Sequence, residues 1–327
     1  MSRTRRALLG WWPLAGWPLL GSQGARAQGR YPERPVTVVV PFAPGGIADI
    51  TARAVAEAMG RQLGQPFVVE NKPSAGSIVA TQAVASARPD GHTLLLMSNA
   101  HAVSVGLFRR LPYDVQRDFT PVGTLAAFDL GFFAAATSRL ATLAQALAYA
   151  RDWPGRLTIG TITVGSTQHL AAKLFEAMAG IDALIVPYKG TPAVLTALRS
   201  GEIDLAVEIL GPMLPQVSAG TIRALAVGSE ARHAAMPAVP TVIAAGVPGY
   251  SVASWNALAV PAATPAPVVE TLHAALERAL AAQAVKAEFE RLGVRALPGT
   301  PGALRQLLAR EIDRWGGVIR RAKIEPE

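Results

Sequence analysis

The chain has 327 residues, half of them hydrophobic, enough to bury a large core as one big domain or two ordinary ones. It contains no cysteine, which excludes a disulfide framework, a thiolate nucleophile and a thiolate metal site. Part of the formal charge of +8 comes from Arg3, Arg5, Arg6 and Arg26, and beyond residue 27 there are 27 basic against 23 acidic residues, too even a balance for a nucleic-acid stripe.

Residues 1–27 read as an export signal: a basic start, the apolar run ALLGWWPLAGWPLLG, then ARA before Gln28, which suits cleavage after Ala27 and a periplasmic destination. A retained membrane anchor fits less well, because the run is short for a bilayer and is interrupted by Pro13 and Pro18. TRRALL resembles a twin-arginine signal, although Gly10 stands where lysine is common, so the general and twin-arginine routes both stay open.

In the mature chain short apolar runs alternate with segments of helical period, the pattern of parallel sheet covered by helices, and the fold class is α/β. VTVVVPF (36–42) reads as a strand buried on both faces, followed by Ile47, Ile50, Ala54, Ala58 and Met59 at helical spacing. FVVEN (67–71) is the next strand, then a Gly/Ser turn and a helix over 78–87, then the strand TLLLMSN (93–99). A second set begins at LTIGTI and passes through Gly165, Ser166 and Thr167 into a helix carrying Leu170, Leu174, Phe175 and Met178, stopped by Gly180. ALIVPYKG, PAVLTALRSG, IDLAVEIL and IRALAVGS continue the alternation. Long extended runs at 122–136 and 254–262 predict two strands crossing between two lobes, with lobe 1 spanning 28–128 and 255–327 and lobe 2 spanning 129–254. After TPAP the chain is helical, with Val269, Leu272, Leu276 and Leu280 on one face and a further helix near 301–322.

A helix leaves its first N–H groups unpaired and its amino end partly positive, so a strand that turns through glycine into a helix offers a seat for an anion. Gly45 and Gly46 in one lobe and Gly165, Ser166 and Thr167 in the other make two such corners, and facing each other across a cleft they would hold a small carboxylate. Glycine at these corners equally suits the backbone angles of a turn, and Asp49 serves the helix dipole without any ligand.

The segments VVPFAPGGIADITAR, GQPFVVENKPSAGS, PDGHTLLLMSN, LPYDVQRDFTPV, VPYKGTPAVLTALRSGEID, IRALAVGS with VPTVIAAGVPGY, and SWNALAVPAATP resemble, in this order from about Tyr31 to the carboxyl end, the Bug-type receptors of tripartite tricarboxylate transporters. The resemblance implies a two-lobed type II periplasmic binding protein fold, each lobe a mostly parallel sheet flanked by helices, and an anionic ligand in the cleft. It also implies a two-subunit membrane permease as partner, a monomer, and neither cofactor nor catalysis. Carried over residue by residue, the expected ligand-binding set is Phe42, Pro44, Gly45, Gly46, Asp49, Ser98, Asn99, Gly165, Ser166, Thr167, His169, Tyr188 and Glu208. Two positions depart from the family's pattern: Glu208 stands where aspartate is frequent, and Asn256 follows Trp255 where an aromatic residue or glycine is frequent.

The five histidines include no pair at metal-ligand spacing with a neighbouring acid, and no GxSxG, P-loop, GxGxxG or HExxH is present. His169 fits a carboxylate donor or a packing role, Lys189 a ligand partner or a solvated charge, and Trp255 a cleft wall or a core aromatic. A sensor presenting its ligand to a membrane kinase would carry the same site. An enzyme acting on a carboxylate would need a proton-transfer pair, which the motifs do not supply.

Overall fold

The computed structural model describes residues 31–321 and 324–326; the export signal expected over 1–27 lies outside the described residues. The first α/β set runs β1 (Val36–Val40), α1 (Ile47–Leu63), β2 (Phe67–Asn71), a short 3-10 turn (Ala75–Ser77), α2 (Ile78–Ala85), β3 (Thr93–Ser98) and α3 (Asn99–Leu107). Strand β4 (Phe119–Ala135) then carries the chain into the second set: α4 (Leu143–Asp152), β5 (Leu157–Ile162), α5 (Thr167–Ala179), β6 (Ala183–Tyr188), α6 (Thr191–Ser200), β7 (Leu205–Ile209), α7 (Leu210–Ser218) and β8 (Ile222–Val227). Strand β9 (Ala253–Pro261) returns the chain to the first set, which closes with α8 (Ala266–Ala281), α9 (Gln283–Arg291), β10 (Arg295–Gly299) and α10 (Pro301–Arg321).

The strand order explains how two lobes share one backbone. One lobe has the order β2-β1-β3-β9-β4-β10 and the other β6-β5-β7-β4-β8, so β4 belongs to both sheets. Its residues Phe119 to Asp129 pair with β9, and Leu130 onward pairs with β7 and β8. The β1–β2, β1–β3, β5–β6 and β5–β7 pairs are parallel. Every pair involving β4 or β9 is antiparallel, because a strand arriving from the opposite lobe meets its neighbours head to tail. The sheets are therefore mixed at the crossing and parallel away from it.

The β-branched run of β1 is buried along almost its whole length, as a central strand covered on both faces requires. Helix α1 packs Ile47, Ala52, Val55 and Met59 inward, and α5 packs Leu170, Ala171, Ala172 and Phe175. Phe175, Phe132 and Tyr250 form an aromatic cluster behind the second lobe's sheet, with centroids 4.5 to 6.2 Å apart. Gly64, Gly180 and Gly201 end α1, α5 and α6 in the left-handed conformation, which costs a residue without Cβ little. Among the described residues no helix is long and apolar enough to cross a membrane.

Candidate functional site

Where the two lobes meet, a cavity of about 30 Å³ is enclosed by residues from both. That volume accommodates roughly two or three waters, so the lobes stand close together. Phe42, Gly46, Ile47 and Ala48 reach it from the β1–α1 corner, Ser98 from the end of β3, Thr167 and Gln168 from the start of α5, Thr191 from the start of α6, Ile209 from the β7–α7 junction, and Ser254 and Asn256 from β9. The amino ends of five helices thus converge on one small space, and no residue of the lining carries a charged side chain.

The backbone donors at these ends are free where the lining needs them. In α1 the first amide satisfied within the helix is that of Ile50, which bonds the Gly46 carbonyl at 3.0 Å, leaving the amides of Gly46, Ile47 and Ala48 without an acceptor among the described residues. In α5 the Ser166 hydroxyl accepts from the His169 amide at 3.1 Å, so this cap satisfies the third position and leaves Thr167 and Gln168 unpaired. In α6 the Thr191 amide is unpaired and Pro192 has none to offer. The Nδ2 of Asn256 is buried without a partner beside the same cavity. Buried polar groups without partners are uncommon, and a cluster of unpaired donors marks a place where an acceptor from outside belongs.

The residues expected from sequence fall into two layers. Phe42, Gly46, Ser98 and Thr167 line the cavity directly. Asn99 sits just behind: its Nδ2 donates to Thr167 Oγ1 at 3.4 Å across the lobes, and its Oδ1 accepts from Trp315 Nε1 at 2.9 Å. Ser98 caps α3 with an unusual partner, since its hydroxyl accepts from Ala100 N and its own amide donates to His101 Nδ1 at 3.0 Å. Burial lowers the His101 pKa to about 4, so the ring is neutral and its Nε2 is free to donate to Thr81 Oγ1.

The other expected residues face elsewhere. Pro44 and Gly45 are exposed, and the Gly45 amide donates to Asp49 Oδ2 at 3.0 Å. Asp49 turns away from the cavity to bind Arg53 and Asn71; burial pushes its pKa up, but these bonds together with that of Gly45 outweigh burial and hold the carboxylate below the usual range. Gly165, at φ +80°, lies against Gly76 of the opposite lobe, whose amide donates to the Val164 carbonyl at 3.0 Å. The Ser166 amide bonds Thr163 O, and its hydroxyl is committed to the cap. His169 is buried with Nδ1 unpaired and a pKa lowered to about 4, by burial first and then by Lys173. Tyr188 donates to Glu202 at 2.7 Å, and Lys189 is exposed. Gly45 and Gly165 therefore serve the turn and the contact between lobes, while Gly46 and the residues just inside the helices present the free amides.

Glu208 lies beneath the lining, fully buried, where Oε2 accepts from Gln168 Nε2 at 3.1 Å and from Ile209 N at 3.2 Å while Oε1 has no partner. Burial raises its pKa to about 7, against the smaller opposing effects of Gln168, Thr191 and Ile209.

Ile47, Ala48, Ile162, Gln168, Thr191, Ile209, Ser254 and Asn256 complete the lining without having been in the expected ligand-binding set, although Asn256 had stood out as a departure from the family's pattern. The one signal for Thr191 was Gly190, a third glycine between a strand and a helix. Ile47 and Ala48 act through backbone alone, so their side chains carry no trace of the role.

The family described as "Tripartite tricarboxylate transporter family receptor" matches residues 51–324. Among solved structures, the chain is similar to the periplasmic binding protein BugD, with 30% identity, a TM-score of 0.87, and coverage of 91% of this chain and 100% of that one. It is also similar to MatC from Rhodopseudomonas palustris with bound malate, at 34% identity, TM-score 0.84, and 88% and 100% coverage. An R. palustris protein with adipate gives 33% identity, TM-score 0.87, and 91% and 100% coverage. With matching sequence, fold and a two-lobed cleft of free amides, the chain belongs to the tripartite tricarboxylate transporter receptor family.

Proposed function

We propose that this protein is an exported receptor that captures a small carboxylate between its lobes and presents it to a two-subunit membrane permease, with no catalytic step of its own. Residues 1–27 act as the cleaved export signal, and the lobes comprise 28–128 with 255–327, and 129–254. The observation that carries this reading is the convergence of five helix amino ends on a cavity without charged side chains. Such a site attracts an anion through N–H donors and helix dipoles, each dipole worth about 0.3–1 kcal/mol. Hydrogen bonds to a charged acceptor contribute about 1.5–3 kcal/mol each, so three or four of them reach the roughly 8 kcal/mol of a micromolar complex.

The structural relatives with malate and adipate point to dicarboxylates as the substrate class. Contacts that cross the cleft, from Gly76 to Val164 and from Asn99 to Thr167, supply the latch that closure would engage. A thermal-shift screen over mono-, di- and tricarboxylates, aromatic acids and acidic amino acids tests the reading, because a compound that binds only the folded state raises the melting temperature. A rise for one class of acid is expected. No rise for any acid contradicts the proposal.

A further inference from the structure

Glu208 occupies an unusual position for a carboxyl group. It contributes nothing to the surface of the cavity, yet Gln168 and Ile209, from which it accepts, both line that cavity. Its second oxygen is buried without a partner. The ionisable residues on the elements packed around it are Asp129 of β4, His169, Lys173 and Glu176 of α5, and Arg199 of α6; β5 and α7 carry none. None of these charges acts on Glu208, whose influences are burial, Gln168, Thr191 and the Ile209 amide.

Gln168 Nε2 and the Ile209 amide both donate to Oε2, so the unpartnered Oε1 is the oxygen on which a proton would sit. The ionised form would place a second buried negative charge one residue behind the ligand, with no cation near to offset it.

Building on the carboxylate-receptor reading, we propose that Glu208, buried behind the lining with one oxygen unpartnered, is a positioning residue that must hold a proton for the cleft to bind its anion, so that carboxylate capture takes up a proton. The balance is simple: one proton moves from solvent to Glu208 as the ligand binds, and no covalent bond of the ligand changes. Affinity then falls as Glu208 ionises, roughly tenfold between about pH 6 and pH 8 for a group that titrates near 7.

The test is calorimetric titration of the full mature protein with malate, adipate and acetate at about pH 6 and pH 8, in buffers of different ionisation enthalpy, for wild type and Glu208→Gln. Wild type is expected to take up close to one proton above about pH 7 and to weaken about tenfold across the range. The amide variant is expected to bind with no proton uptake and little dependence on pH. Binding by wild type without proton uptake overturns the inference and leaves the receptor reading intact, and proton uptake that survives in Glu208→Gln overturns the assignment to Glu208. Failure of all three acids to bind at about pH 6 overturns both. If Glu208→Gln does not fold, the side-chain carboxyl ¹³C resonance of Glu208 in wild type decides: movement toward the protonated position on adding the acid near pH 7.5 supports the inference, and no movement overturns it.

Discussion

Substituting Gly165 with alanine separates the stability of the second lobe from the closing of the cleft. Gly165 has φ +80°, and a Cβ built on it would lie 2.9 Å from the Gly76 Cα and 3.1 Å from the Gly76 amide nitrogen in the opposite lobe. Two costs follow. Holding alanine in the left-handed region costs about 1–2 kcal/mol, and this is present whether the lobes are apart or together. The contact with Gly76 exists only when they are together, and relieving it stretches the Gly76 to Val164 bond of 3.0 Å, a loss of about 1 kcal/mol before any residual clash. The first cost lowers the melting temperature without changing ligand affinity; the second weakens ligand binding by about five- to thirtyfold, corresponding to roughly 1–2 kcal/mol. Calorimetry with malate or adipate, paired with small-angle scattering with and without the acid, reads both quantities. A folded Gly165→Ala protein whose affinity stays within about twofold of wild type refutes the reasoning, since this corner would then play no part in closure.

Other substitutions probe the remaining parts. A Cβ at Gly46 meets nothing nearer than 3.7 Å and needs no left-handed backbone, so Gly46→Val should fold, while its methyls fill the cavity and carboxylate affinity drops at least tenfold, as read by thermal shift and calorimetry. Glu208 has a folded pKa raised to about 7 from 4.5, so the native state holds a proton that the unfolded chain has lost between those values. Wild type should therefore lose stability, up to about 3 kcal/mol, as pH rises from about 4.5 to 7, and urea unfolding of Glu208→Gln should lack that slope. Trp315→Phe removes the donor to Asn99 Oδ1, costing about 1–2 kcal/mol in urea unfolding, and frees the Asn99 amide to turn from Thr167, so carboxylate affinity should fall as well.

Much of this architecture was legible in the sequence because periodicity and punctuation agreed. VTVVV followed by Pro44-Gly45-Gly46 and a 3.6-residue pattern gave β1 and α1, and Gly180 stopped α5 where it was expected. Helix α3 was not legible: Asn99 to Ser104 are all buried, so the segment has no polar face to betray its period, and its cap pairs Ser98 with histidine where a capping box uses glutamate or glutamine. Helix α7 was hidden by Pro212 and Pro215, and its start sits directly on the end of β7 with no loop between. In the site, the general position was readable from the glycine corners, but the choice of amides was not. Gly45 is spent on Asp49, whereas Ile47 and Ala48 hold the free donors, and a backbone N–H leaves no mark on residue type.

The central claim is tested most directly by a crystal structure of the mature protein with the acid that raises its melting temperature most. The account predicts a carboxylate group within about 3 Å of the amides of Gly46, Ile47 or Ala48 on one side and of Thr167, Gln168 or Thr191 on the other, with both lobes in contact with it. A carboxylate seated outside that cavity, or held by one lobe alone, would contradict it.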